Sequence, residues 1–455
     1  MATTYLKRSQ GTATNAKKFT YSVWLKRSSI GVAQRFYQGR ESDNNRFYFK
    51  LLDTDILWLY GVTGGTGNLF WQSTRKFRDN NGWYHFVFKG DTTQASQDDR
   101  FRVYVNGVEE TAWTKSTNIS QNDDWGNQIA GTDSIVISGT ESQGEMFDGL
   151  MSHIHYIDGT AYAPTEFGET DSTTGEWKIK TSPSVTYGDQ GYFILKNGNS
   201  VTDQSGEGNN FTVGAGTLTN TEDCPDNVFA TWNPLVYSAN PPIFKYGNTE
   251  EEGQSDSRYP VTISTLAMPK SGKFYAEFKK IDPSNDKEAI GIADTEKATE
   301  AIRANTDVYV VGYEGQACIK KDGTIMTYGS EVSGYVSGGY GDDDIVQVAF
   351  DGDNGAMYFG KNGTWGNSGD PTSGASKTGA MDISGLAWYT AAKDLVFLAG
   401  EFSSSGYGHF QANFGNGYFG TTAISSEGTN ASGIGKFEYD VPTGYTALST
   451  KGLNE

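Results

Sequence analysis

The stretch GDDDIVQVAFDGDNGAMYFGKNG, residues 341–363, decides the fold predicted for this chain. Its apolar segment Ile345–Phe350 predicts one short strand, and Ala356–Phe359 predicts a second strand that runs back along the first. Between them, Asp351 to Gly355 supplies residue types that tolerate the positive φ angles of a hairpin turn. The stretch therefore predicts an antiparallel hairpin.

Asn-Gly pairs, which suit two-residue type I′ turns, occur at three places along the chain. Asn362-Gly363 follows the hairpin and predicts a third strand or a tight reversal. The strand Phe101–Val105, with its apolar side chains on one face, runs into Asn106-Gly107, and a strand that begins at Tyr192 runs into Asn197-Gly198. This repetition predicts an all-β protein built from antiparallel strands.

Length and composition indicate more than one sheet-rich domain. The chain has 455 residues, including 57 glycines, and 13% of its residues are aromatic. This length exceeds what one hydrophobic core usually organises, and the composition is typical of turn-rich sheets. We therefore expect two or three domains rich in antiparallel sheet, and no long helices.

The formal net charge of −19 opposes attraction to nucleic acid or to anionic membranes. The acidity serves solubility or, alternatively, an acidic rim that takes up Ca²⁺. Cys224 and Cys318 fall in different predicted modules and are expected to be small buried hydrophobes rather than a disulfide. The first 19 residues lack the apolar core of a signal peptide, so we expect a soluble chain that does not use the standard secretory route and does not insert into membranes.

Residues 1–165 carry a family resemblance in the order of their motifs. FTYSVWLKR (19–27), GWYHFVF (82–88), FRVYVNGVEE (101–110) and FDGLMSHIHYIDG (147–159) together resemble the laminin-G-like and concanavalin A-like jelly-roll group. The resemblance implies two antiparallel sheets packed face to face. It also implies a module that binds glycans or proteins and, less often, cleaves glycans.

The rest of the chain carries two further resemblances. Residues 166–235 contain few large apolar residues and are predicted to be the connector, and similar segments recur beside jelly rolls in tailed-bacteriophage structural proteins. Residues 236–455 are predicted to be a SPRY-like β-sandwich with a C-terminal extension. The SPRY resemblance covers about residues 260–416 and includes Lys273–Phe278, Tyr309–Tyr313 and the stretch 341–363.

Together these resemblances imply an all-β chain of two antiparallel β-sandwich (jelly-roll) domains joined by a short β-rich connector. They also imply a phage virion structural protein of the tail-fibre or receptor-binding type. Such a protein would bind a host surface glycan or receptor without catalysis, in many copies, beside other virion proteins. It would be made in the host cytoplasm and reside on the particle surface, on tail or capsid. One alternative is a capsid or tail decoration protein that docks through the SPRY-like domain, and another is a glycan-degrading enzyme.

A catalytic site is not expected. Glycan hydrolysis needs two carboxylates about 5 to 9 Å apart across a sugar. The nearest candidates, Asp351 and Asp353, are better explained as turn residues of the hairpin. The sequence lacks the E-x-D-x-E pattern of concanavalin-like glucanases and the common nucleophile, zinc and phosphate motifs. We therefore assign no catalytic residue.

Metal binding has two sets of candidate residues. His153 and His155, two of the four histidines with His85 and His409, could share a strand face and bind a metal, or could line a half-buried polar face. The loops Asp43-Asn44-Asn45 and Gln121–Trp125 have oxygen ligands that suit Ca²⁺, but the same residues are typical of surface turns. No metal ligand and no cofactor are assigned.

Three tryptophans lie in polar segments of the first module, namely Trp71, Trp113 and Trp125. Their rings could stack on sugars if they are exposed. Alternatively, they cap the ends of the sandwich.

Overall fold

The computed structural model describes residues 3–125, 134–196, 200–236, 242–253, 261–281, 288–304, 315–327, 330–401 and 408–454. The chain divides into two compact units, Met1–Asn220 and Thr221–Glu455. The segment predicted as a connector, 166–235, is thus shared between the units, with 166–220 in the first and 221–235 in the second.

The first unit is built from strands. Its strands in the described residues are β1 (Tyr5–Arg8), β2 (Lys18–Arg27), β3 (Gln34–Ser42), β4 (Asn45–Leu51), β5 (Ile56–Thr63), β6 (Thr66–Lys76), β7 (Tyr84–Asp91), β8 (Phe101–Val105), β9 (Val108–Glu109), β10 (Trp113–Thr117), β11 (Ser134–Ile137), β12 (Gly149–Asp158), β13 (Gly168–Thr170), β14 (Trp177–Ile179), β15 (Tyr192–Ile194) and β16 (Thr212–Ala215).

Two antiparallel sheets form the sandwich of the first unit. Sheet I has the order β10-β6-β5-β4-β3-β11-β1-β16, and sheet II has the order β15-β12-β2-β7-β8-β9. Apolar side chains from the facing surfaces of both sheets make one core. In β8 the alternation is plain, because Phe101, Val103 and Val105 are buried while Arg102 and Tyr104 between them are only half-buried. The predicted β-sandwich is confirmed.

The outer surface of sheet II is covered by the chain that follows β12. Phe167 and Tyr187 from this segment pack on Val87, Ile157 and Phe193 of the sheet in a second, smaller apolar cluster. Strand β2 is consequently buried along nearly its whole length and on both faces. Sheet II therefore offers little open surface on its strands.

The second unit also consists mainly of strands. Its described strands are β17 (Ile243–Lys245), β18 (Glu250–Glu252), β19 (Val261–Ile263), β20 (Met268–Pro269), β21 (Lys273–Lys280), β22 (Glu288–Asp294), β23 (Gln316–Lys320), β24 (Ile325–Thr327), β25 (Ser330–Val332), β26 (Ile345–Asp351), β27 (Ala356–Lys361), β28 (Thr364–Trp365), β29 (Met381–Asp382), β30 (Asp394–Glu401), β31 (His409–Asn413), β32 (Tyr418–Phe419), β33 (Thr422–Ala423) and β34 (Thr446–Ala447). Two short helices, α1 (Thr295–Ala304) and α2 (Ala387–Ala391), accompany them.

The second unit is a sandwich of sheets III and IV. Sheet III has the order β17-β18-β31-β21-β26-β27-β28, with β29 beside β27 and β34 parallel to β21. Sheet IV has the order β19-β30-β22-β23-β24-β25, with β20 beside β30. Side chains from both sheets share one core. The all-β prediction is confirmed for this unit as well.

The hairpin predicted within residues 341–363 forms as expected. Strand β26 pairs with β27 as far as Asp351 and Ala356, and β27 pairs with β28 across Asn362-Gly363. Asn362 and Gly363 have φ angles of 48° and 83°, as a type I′ turn requires. The Asn106-Gly107 turn has the same character, with φ angles of 49° and 77°.

Some predictions concern parts of the chain that the structure does not describe. The Asn197-Gly198 turn and the segment Tyr309–Tyr313 lie outside the described residues. Cys224 and Cys318 both belong to the second unit rather than to different modules, and both are thiols outside any disulfide. Cys318 is fully buried, whereas Cys224 is only partly covered. Neither described helix has the length and apolar character that crossing a membrane requires.

Candidate functional site

Asp351 and Asp353 hold the hairpin turn together, as the sequence suggests. Asp351 is fully buried, pairs with the ammonium of Lys273 at 2.9 Å and accepts hydrogen bonds from Asn354. Asp353 accepts the backbone N–H of Gly272 at 2.8 Å. The two carboxylates therefore serve the turn, and their contacts do not form an opposed pair across an open groove.

His153 and His155 do not share a strand face in the simple alternating way. The pairing of β12 with β2 shifts between Ser152 and His155, and His153 has a φ of +47°. The two imidazole centroids lie 6.5 Å apart. His155 is enclosed by Tyr187 and Phe193, and burial holds its pKa well below the usual value. Among the described residues, no group of three or more His, Cys, Asp or Glu side chains could hold a metal.

The two acidic loops that were candidates for Ca²⁺ binding are tied to basic side chains. The carboxylate of Asp43 pairs with both Arg40 and Arg46 at about 3 Å and is largely exposed. The Lys17 ammonium lies 3.0 Å from Asp124 and 2.6 Å from the carbonyl of Asn122. Calcium binding at these loops stays a prediction.

Two of the three candidate tryptophans are not available for sugar stacking. Trp71 and Trp125 are each only 2% exposed and pack against Phe101 in the core between sheets I and II. The alternative that these two rings stack on sugars required them to be exposed, and it is wrong because both indole rings face the core. Trp113 is half-buried at the sheet edge, against Trp71, and donates its indole N–H to the Glu110 carbonyl.

The outer face of sheet I carries a cluster of aromatic rings, which we call the aromatic platform: Tyr48, Trp58, Tyr60 and Phe70. The Trp58 ring centroid lies 5.4 to 5.6 Å from those of the other three rings. Tyr48 is 8% exposed, whereas the other three are half-buried and so present part of each ring to solvent. They form an apolar surface on a rigid sheet.

Strand register brings the platform together. Tyr48 of β4 lies directly opposite Tyr60 of β5, which lies opposite Phe70 of β6. Trp58, two residues before Tyr60, occupies the neighbouring row, where Lys50 and Gln72 are its partners. Cross-strand partners and residues two apart share one face, so all these side chains point away from the core.

Basic side chains frame the platform. The Lys50 ammonium lies 4.5 Å from the Trp58 ring centroid, and the Arg35 guanidinium lies 4.2 Å from the Tyr48 centroid, both within cation–π range. The carboxylate of Glu145 accepts hydrogen bonds from both the Lys50 ammonium and the Arg35 guanidinium. Although burial opposes its ionisation, Lys50 and Arg35 hold the pKa of Glu145 below its usual range. Burial raises the pKa of Tyr48 to about 12, so its hydroxyl remains a donor.

The sequence did not single out the platform residues. The strands that contain them were predicted, but their aromatic residues alternate with equally large core residues such as Phe47, Phe49 and Leu59. A signal was nevertheless present. Large aromatic rings on both faces of adjacent strands indicate that the outer face is also an apolar contact surface.

Comparison with known proteins identifies the fold of the first unit. Residues 1–166 match the family model of the concanavalin A-like lectin/glucanases superfamily. The concanavalin A-like fold predicted for this part of the chain is confirmed. A search of curated proteins found no match.

Several solved structures resemble parts of the chain. The SPRY domain of human HERC1 is 13% identical, with a TM-score of 0.29, over 40% of this chain and 94% of the domain. A putative carbohydrate binding protein from Bacteroides ovatus is 16% identical, with a TM-score of 0.31, over 47% of this chain and 56% of that one. Domain 4 of AbnA, an arabinanase from Geobacillus stearothermophilus crystallised with arabinotriose, is 17% identical, with a TM-score of 0.24, over 33% and 65%. None of these names concerns a virion, so the predicted virion role stays a prediction.

Proposed function

We propose that residues 1–166, with their concanavalin A-like fold, bind glycan on the aromatic platform of sheet I. The observation that carries this proposal is the set of half-buried rings of Trp58, Tyr60 and Phe70, aligned by strand register on the outer face. Ring faces contact the apolar C–H surfaces of a sugar, while cations and amides beside them contact its hydroxyl groups.

The position of the platform supports this assignment. The outer face of sheet II is covered by Phe167 and Tyr187, whereas Trp58, Tyr60 and Phe70 of the platform are only half-buried. Gln72 flanks Trp58 in the same row and could bond a sugar stacked on the indole, whereas Lys50 on the other side is buried and paired with Glu145. A rigid sheet also limits the entropy lost on binding.

The test is a change of Trp58 to alanine. Screening the full chain against a glycan panel identifies a ligand, and calorimetry then gives its dissociation constant. We expect Trp58→Ala to weaken binding about tenfold or more, since losing a stacked ring at the centre of a site costs over ~1.4 kcal/mol. Tyr246→Ala is the matched control, because this tyrosine is 48% exposed in the other unit. Unchanged affinity in Trp58→Ala would overturn the proposal.

We propose that the chain binds without catalysis. The only carboxylate pair that the sequence offered as a candidate, Asp351 and Asp353, is engaged within a turn. Incubating the bound glycan with the protein and sizing the products tests this point. Intact glycan is expected, and shorter oligosaccharides would instead support a glycan-degrading enzyme.

The biological setting that we propose is a phage virion, with the chain acting as a tail-fibre or receptor-binding protein for host surface glycan. Support comes from the sequence, in which residues 166–235 resemble segments found beside jelly rolls in phage structural proteins. Several copies per particle would multiply weak platform contacts. Immunogold electron microscopy of the particle, with antibody against the purified chain, is expected to label tail or fibre tips.

A second candidate, a decoration protein that docks through the second unit, is favoured by one observation. Strand β17 ends the order of sheet III, and Ile243 and Tyr246 at this edge are 43% and 48% exposed. An exposed sheet edge with apolar side chains is a ready docking surface. Gold over the capsid would favour this candidate, and unlabelled particles would contradict both virion roles.

A further inference from the structure

A polar cleft lies in the first unit where strand β1 ends beside β16. Its volume is about 440 Å³, and its lining includes Lys7, Arg8, Glu141, Asn209, Asn210 and Thr212. Lys7 pairs with Thr212 of β16. The cleft shares no residue with the aromatic platform, so its chemistry has to be explained separately.

Arg8 is held rigidly at this cleft by neutral acceptors. Its guanidinium donates to the Gln190 carbonyl and side-chain oxygen at 3.1 Å each, to the Asn209 side-chain oxygen at 2.7 Å and to the Ser9 carbonyl at 3.2 Å. The rings of Tyr192 and Phe211 lie 5.7 and 5.9 Å from its central carbon. This set of contacts fixes the plane of the guanidinium.

The positive charge of Arg8 is only weakly compensated. Among the described residues, no carboxylate oxygen lies within 4.0 Å of its guanidinium, although Asp203 acts on it from further away. Burial lowers the pKa of Arg8, which means that its charge is partly withdrawn from water. Lys7 has one ion pair, to Glu141 at 3.9 Å, and both side chains are over 40% exposed. Such a pair contributes little.

The strands of sheet I are rich in basic residues, although carboxylates from the adjoining segments pair with most of them. The whole chain has 36 Lys and Arg against 55 Asp and Glu. The described strands of sheet I reverse this balance, because they carry a single acidic residue, Glu41, and many basic ones. The basic residues are Lys7, Arg8, Arg35, Arg40, Arg46, Lys50, Arg75, Lys76 and Lys115.

We propose that the cleft is a binding site for an oxyanion carried on a sugar, either a carboxylate or a sulfate ester. The ammonium of Lys7, and the one guanidinium N–H of Arg8 that has no acceptor among the described residues, are donors with the charge that such groups require. The amide of Asn210, whose oxygen accepts the Asp203 N–H, has its NH₂ group available as a further donor. The site goes beyond the platform and does not depend on it.

The direct test compares sugars that differ in charge. Ligand-observed NMR with the full chain carrying Trp58→Ala, which removes stacking on the aromatic platform, would use glucose, glucuronate and glucose 6-sulfate. We expect the two anionic sugars to bind and glucose not to bind, with affinity that falls as NaCl is raised, since salt screens exposed charges. Binding of one anion alone would identify the natural group as carboxylate or sulfate. Equal binding of glucose, or no binding of either anion, would overturn the proposal.

Three charge variants locate the site. Lys7→Gln is expected to weaken anion binding about threefold, and Glu141→Gln to tighten it about threefold by removing the opposing charge, as partly exposed charges do. Lys76→Gln is the matched control, because it removes the same charge from sheet I outside the cleft. Equal effects of Lys7→Gln and Lys76→Gln would show that the anion responds only to the overall positive charge of sheet I, and would contradict a defined site.

Arg8 is tested separately because its removal affects packing. Arg8→Lys keeps the charge but loses the hydrogen bonds that hold the guanidinium at the cleft, so we expect weaker anion binding in a folded chain. Trp58→Ala is expected to leave the binding of these small anions unchanged. Failure of the cleft and failure of the platform are therefore distinguishable.

Discussion

His85 shows at the residue scale how completely sheet II is covered. Its ring stacks on Trp24 with centroids 4.5 Å apart, and Trp177 donates its indole N–H to Nδ1 at 2.9 Å. Because Nδ1 accepts, the proton of the neutral ring resides on Nε2, which donates to the Ser22 hydroxyl at 2.8 Å. Burial lowers the pKa of His85 to about 3.

This burial predicts acid sensitivity of the first unit. Below the unfolded value of 6.5, the unfolded chain binds a proton at His85 that the folded chain does not. The contribution of His85 to the free energy of unfolding is therefore fully present above pH 6.5. It decreases as the pH falls towards the folded pKa, by about 2 kcal/mol between pH 6.5 and 5. Urea unfolding at several pH values measures this slope.

His85→Gln is expected to make the unfolding free energy of the first unit depend less steeply on pH, because the contribution of this histidine is removed. The control is His409→Gln, because His409 lies in the second unit and its loss leaves the first unit's transition unchanged. An unaltered slope in His85→Gln would show that the folded protein protonates His85 readily.

The candidate site was only partly predictable at the level of single residues. Trp71 and Trp125 were candidates for sugar stacking because they lie in polar segments of the sequence, yet both indole rings point into the core. Trp58 was hidden inside an apolar run, Ile56–Tyr60, where alternate residues face opposite ways. Exposure depends on strand register and on what covers each face, and neither can be derived from local composition.

At the scale of elements, turns were the most predictable features. The Asn362-Gly363 dipeptide predicted its own reversal, because few residue types adopt two successive positive φ angles. The irregularity between Ser152 and His155 was not predictable, since a bulge depends on the partner strand as well as on its own sequence. The alternative that His153 and His155 share one strand face rested on regular alternation, which this irregularity interrupts.

Gly363→Ala tests the turn. We expect it to destabilise the second unit by more than about 1 kcal/mol, because a Cβ is unfavourable at a φ of +83° and would lie 2.9 Å from the Tyr439 ring. Gly334→Ala is the control, with a φ of +72° and no atom within 4 Å of the added Cβ. Urea unfolding compares the two variants, and an equal cost would contradict the close contact with Tyr439.

At the scale of the whole molecule, the sequence predicted two sandwiches but could not place the boundary between them. Residues 166–220 looked too poor in apolar residues for an independent core, yet they complete the first unit. Strands β15 and β16 extend sheets II and I, and Phe167 and Tyr187 cover sheet II. Only three-dimensional pairing reveals which unit such a segment joins.

Each unit has its own core, so we expect each to fold without the other. Fragments 1–220 and 221–455 should each give β-rich circular dichroism and a cooperative thermal transition. A fragment that ends at residue 165 should not, because it lacks the residues that cover sheet II. A stable 1–165 fragment would show that residues 166–220 are not needed to complete the first unit.

The measurement that tests the central claim most directly is a crystal structure of the full chain with an oligosaccharide selected from the glycan panel. The account predicts sugar rings lying against Trp58, Tyr60 and Phe70 on the outer face of sheet I, within hydrogen-bond distance of Gln72. Sugar bound elsewhere, with the aromatic platform unoccupied, would contradict it.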